Sequence, residues 1–141
     1  DVPADAYYAD AAAWAEQKGI TDGIGNGLFG PHNNCTRAQI VTFLYRSAGS
    51  PKVSGACDFS DVSAGSFCHD AVIWASSEGI TKGTSAGRFS PNEGCTRAQV
   101  VAFLYRVGRQ ISDLIQAQGS PEREPFSYFR DKRRRIWYNI M

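Results

Sequence analysis

A chain of 141 residues, 43% hydrophobic and 21% charged, has the composition of an ordinary folded protein with room for one modest core or two small coupled ones. Its formal net charge of +1 speaks against both a basic nucleic-acid binder and an acid-rich surface. No apolar run approaches the ~20 residues of a membrane span, and four cysteines without a CxxC pair, beside two histidines, leave no metal or cofactor to expect.

The first expected element is a helix in which Tyr7, Ala11, Trp14 and Ala15 recur at helical spacing along one face. Gly19 ends it, since a residue without a Cβ enters the left-handed conformation freely. The stretch 22–27 is turn chemistry, and Pro31 with Asn33 and Asn34 extends the loop. A second helix opens at Thr36, whose hydroxyl and the side chain of Gln39 three residues later read as a capping box. Ile40, Phe43 and Leu44 supply its apolar face, and the run 47–51 ends it and begins a linker reaching about Ala56. Then the pattern returns. A shift of 60 residues aligns 1–46 with 61–106 without a gap, and 24 of the 46 pairs are identical. Thr96 and Gln99 repeat the cap, and Leu104, Val107, Ile111 and Leu114 carry the last helix on to about Gln118, before Gly119, Ser120 and Pro121.

Two helices of this size cannot bury their apolar faces alone, so duplicated units must stack on each other. The expected fold is all-α: tandem helix–loop–helix repeats, at 1–50 and 51–108, sharing one core. Residues 109–141 are a different object, carrying a net +3 against −2 for residues 1–108. There Phe126, Tyr128, Phe129, Ile136, Trp137 and Tyr138 surround Lys132, Arg133, Arg134 and Arg135. Such a mixture can meet nucleic acid or an anionic surface; docking onto an open face of the repeats is the favoured reading, and a fusion-derived end is the third.

The succession of Asp-Val, Trp-Ala, Gly-Ile-Thr, Phe, Pro, Cys-Thr-Arg-Ala-Gln and Phe-Leu-Tyr-Arg, present twice in register, resembles the S-layer homology repeat, closest to the version ending in CTRAQ from clostridia-like Gram-positive surface proteins. The resemblance covers about residues 1–108. It implies lobes of a pseudo-threefold arrangement, a place outside the cell on the bacterial wall, and grooves that take secondary cell-wall polysaccharide, often through a pyruvate-bearing sugar. Further repeats or a homo-oligomer would be its protein partners. Three departures stand out: no aromatic precedes Asp1 by two residues, Gln39 and Gln99 replace the usual acid, and no third repeat follows residue 108. Position 1 already lies inside the motif and no signal peptide is visible, so the sequence reads as a mature or trimmed segment.

Arg37 and Arg97 sit in first helical turns, where free amides and a guanidinium together can grip a carboxylate. The plainer reading is an ion pair with Asp1 or Asp61, or a solvated side chain. Trp14 and Trp74 can stack on a sugar ring but share the stripe that marks core packing. Loop groups around Thr84 and Ser85 can offer hydroxyls to a ligand, against ordinary turn geometry. His32 and His69 have no partnering motif and read as surface or capping residues. Cys57 and Cys68, which lack counterparts in the first repeat, suggest a local disulfide; Cys35 and Cys95 either pair across the two repeats or stay as thiols. No nucleophile and base, paired acids or metal cluster recur in both copies, so an enzyme is not expected. The rival to wall binding is a self-assembly module.

Overall fold

In a computed structural model, residues 1–117 are described; the basic and aromatic segment within 119–141 lies outside them, as do the side chains of Ile111 and Leu114. The described residues form four helices and no strands, α1 (Ala9–Gln17), α2 (Arg37–Ser47), α3 (His69–Ser77) and α4 (Arg97–Ala117), two to each repeat. One compact unit is Asp1–Phe103, and a second begins at Leu104, within α4.

Local chemistry sets the helix ends. The hydroxyl of Thr36 accepts from the Gln39 amide, and the Gln39 side chain accepts from the Thr36 N–H at 2.8 Å. Thr96 and Gln99 repeat this at the start of α4. At the far ends of α1 and α3, Gly19 and Gly79 turn left-handed at φ +64° and +67°. That turn lets Ile20 and Ile80 donate back to the carbonyls of Ala15 and Ala75, closing the last turn of each helix. A tight reversal follows in each loop, with Gly25 opposite Leu28 and Ser85 opposite Arg88.

The two repeats share one core. Ala12, Ile20, Ala38 and Val41 come from the first repeat, and Phe59, Val62, Cys68, Ile80, Phe89 and Phe103 from the second. Helix α2 packs on α3, and every residue from Ala71 to Ala75 in α3 is buried. Helix α1 behaves differently from its expected stripe. Its buried residue is Ala12, while Tyr7 and Ala11 face solvent and Trp14 is 53% exposed. Trp74, the same residue one repeat later, is only 7% exposed and packs against Tyr45 with ring centroids 5.7 Å apart. The reason is positional. Helix α2 packs on α3, and among the described residues no helix packs on α1 in the same way.

Candidate functional site

The residues at issue are the two copies of one helix start and the loop that meets it. The loop of the second repeat lies over the N-terminus of α2. Arg37 N–H donates to the Glu93 carbonyl at 2.8 Å and Ala38 N–H to the Pro91 carbonyl at 3.0 Å. Thr36 faces Gly94 in an antiparallel bridge. Two of the four amides a helix leaves unpaired at its start are thereby satisfied by backbone from the other repeat. This is where an anion was expected to sit, and it is closed.

Arg37 is accordingly not a surface ligand. At 2% exposure, its Nε donates to the Phe89 carbonyl at 2.9 Å, and its guanidinium lies 5.0 Å from the Phe89 ring centre and 5.5 Å from that of Phe103. Nη2 is buried without a hydrogen-bond partner among the described residues. The charge is held by π faces rather than by a carboxylate. Neither Asp1 nor Asp61 pairs with an arginine of the helix starts. Asp61 instead accepts from the Phe89 and Ser90 N–H groups, both at 2.9 Å, and lies 3.8 Å from Arg88; Asp1 clamps Phe29 and Gly30 in the same way. The carboxylate that opens each repeat thus holds the loop that bears its Phe. Its recurrence was legible in the sequence, but its partners were not.

Desolvation pulls the Asp61 carboxyl upward, but the N–H bonds of Phe89 and Ser90 and the Arg88 charge outweigh it, leaving the group below its ordinary range. A lowered folded value means stability that is present at neutral pH and lost as pH falls through it. Asp61→Ala is expected to cost about 2–3 kcal/mol at pH 7, the worth of two hydrogen bonds to a charged acceptor in a partly buried site. Urea unfolding at pH 7 and pH 3 checks this: the gap between variant and parent should shrink at the lower pH.

The copy at α4 stands open. Thr96, Arg97 and Ala98 are exposed, and no carbonyl of another segment caps the Arg97 and Ala98 amides among the described residues. Val101 is 64% exposed where its counterpart Val41 is fully sealed. Of the two readings of the tryptophans, core packing holds for Trp74, whereas Trp14 is exposed. The Thr84 hydroxyl is 2.7 Å from that of Ser90 and serves the loop itself, while Ser85 is exposed at the reversal. His32 is exposed, and His69 opens α3 with Nδ1 3.1 Å from Asp70. The expected Cys57–Cys68 disulfide is absent. All four cysteines are thiols, Cys57 Sγ directed at the Phe59 carbonyl and Cys68 Sγ at Ser66 Oγ, with Cys68 buried at the head of α3.

A groove of about 310 Å³ opens in the first repeat among Asp1, Ala12, Ala13, Glu16, Gly23 and Phe29. In the second repeat the corresponding position is taken by the Phe59 ring, 5.8 Å from Phe89 and tight enough against Gly83 that a Cβ there would lie 2.6 Å from it. Among the described residues no cluster of acidic, His or Cys side chains could hold a metal, and no helix is long and apolar enough to cross a membrane.

Comparison with known proteins gives this geometry a context. The model of the S-layer homology domain matches residues 1–41 and 58–101. A cell surface protein of Thermoanaerobacter kivui is 34% identical over 111 residues, covering 75% of this chain and 15% of that protein. The surface-layer 125 kDa protein of Lysinibacillus sphaericus is 31% identical over 98 residues, 70% of this chain and 8% of that protein. An endoglucanase of Bacillus sp. (strain KSM-635) is 34% identical over 91 residues, 64% of this chain and 9% of the enzyme. The chain therefore spans less than a sixth of each of these relatives.

Proposed function

The chain belongs to the S-layer homology domain family, and on that footing we propose that it is a non-catalytic module that anchors a parent protein at the bacterial cell surface by binding an acidic cell-wall polysaccharide. Repeats 1–50 and 51–108 are its two lobes, and α4 carries the second of them on past residue 108 to Ala117. The observation that carries the reading is the open first turn of α4. There the exposed Arg97 opens a helix whose Arg97 and Ala98 amides meet no carbonyl of another segment among the described residues, which leaves positive charge and N–H donors available to an anion. A pyruvate ketal presents such a carboxylate on a sugar, and Arg97 can hold it with two parallel hydrogen bonds. Trp14 offers a ring face for stacking, and Thr84 and Ser85 line an exposed loop with hydroxyls. Arg37 serves the same end indirectly, by holding the second lobe on the first.

Sedimentation with purified cell wall tests this. The parent chain should co-sediment, and Arg97→Ala should weaken binding by roughly 10- to 100-fold, the worth of a charge-assisted bidentate contact. Wall stripped of its pyruvyl groups should show a similar loss. Undiminished binding by Arg97→Ala would remove α4 from the site.

One observation favours a second reading. Arg97, Ala98 and Val101 copy the α2 face that is sealed inside the molecule, and an exposed face of that kind suits another repeat or another copy of the chain. Light scattering after size exclusion separates the readings. An oligomer dissolved by Val101→Glu, with no affinity for wall glycan, would replace anchoring by self-assembly.

A further inference from the structure

The closure of the α2 start brings together two thiols. The bridge between Thr36 and Gly94 is flanked by two bonds, Arg37 N–H to the Glu93 carbonyl and Cys95 N–H to the Cys35 carbonyl, at 2.8 and 3.1 Å. Antiparallel register then leaves no freedom: one step out from the bridge, Cys35 stands directly across from Cys95. Residues directly opposite in such a pair project to the same face. At a hydrogen-bonded position their Cα atoms lie ~5.5 Å apart, within the ~4.4–6.8 Å over which a disulfide closes without moving the backbone. Both side chains are half-buried, so a small oxidant reaches them. Burial, opposed by the Arg37 charge and reinforced by Cys35, pushes the Cys95 thiol up.

We propose that Cys35 and Cys95 are a redox staple, oxidised outside the cell to a disulfide that locks the second repeat's loop onto the start of α2. The oxidant is a small-molecule disulfide. The thiolate of one cysteine attacks it, forming a mixed disulfide and releasing one small thiolate. The other cysteine then attacks the mixed disulfide and releases the second. Two protein thiols lose two protons and two electrons, and the oxidant is reduced to two thiols. The ring so closed holds about sixty residues and ties together the lobes whose contact buries Arg37. Reduced, the loop is held by its hydrogen bonds and by the packing of Phe89; oxidised, it cannot leave.

The test uses the full chain incubated with oxidised glutathione. The count of free thiols should fall from four to two without a covalent dimer on non-reducing gels, and peptide mapping should join Cys35 to Cys95. The melting temperature should rise by about 10 °C or more, reversibly with dithiothreitol. Cys35→Ser and Cys95→Ser should each abolish the rise, and the double variant Cys57→Ser with Cys68→Ser should keep it. Four thiols that persist under oxidant, a bond mapped between Cys57 and Cys68, or a covalent dimer would each overturn the staple.

Discussion

Replacing Trp74 by alanine is expected to cost about 4 kcal/mol of stability, and replacing Trp14, its partner in the duplication, about 1 kcal/mol or less. The larger figure follows from removing a buried indole from a packed core, where lost transfer free energy and the residual cavity add. Trp74 sits in the stretch of α3 that is buried throughout, against Tyr45 of the first repeat, so its loss opens a void between the repeats. Trp14 keeps more than half of its surface in water and holds much less. Urea unfolding of the two variants measures the contrast directly. Equal losses would mean that the burial assigned to the two repeats is wrong, and with it the view that α1 is an uncovered edge.

Arg37 yields the second large effect. Arg37→Ala should cost roughly 3–5 kcal/mol, because it orphans the Phe89 carbonyl and leaves a hole between the Phe89 and Phe103 rings. Arg37→Met should cost less, about 1–3 kcal/mol, because it too leaves the buried Phe89 carbonyl without its Nε–H donor. A thioether chain of similar length fills the hole, and nothing is lost at Nη2, which has no partner. Arg97→Ala, on the exposed copy, should stay within about 0.5 kcal/mol. Chemical denaturation of the three variants decides the matter. A methionine variant as unstable as the alanine one would show that the charge, rather than the packing of the chain around it, holds the repeats together. The comparison also guards the binding experiment, since an Arg37 variant that loses wall affinity with its fold says nothing about a ligand.

What the sequence determined by itself is whatever depends on neighbours a few residues away. Thr36 and Gln39 are close enough along the chain to cap a helix in any surroundings, and Gly19 and Gly79 end helices because they lack a Cβ. The duplication, and with it the all-α stacked fold, follows from comparing the chain with itself. The choice between identical residues lay beyond it. Cys-Thr-Arg-Ala-Gln stands at 35–39 and again at 95–99, yet Arg37 is sealed and Arg97 open; Trp14 and Trp74 diverge in the same way. Local sequence cannot distinguish copies that are locally the same. Burial belongs to what lies across the contact, and only the stacking of two repeats, with α2 and α3 inside and, among the described residues, Trp14 and Arg97 left outside it, decides which copy becomes core and which stays exposed.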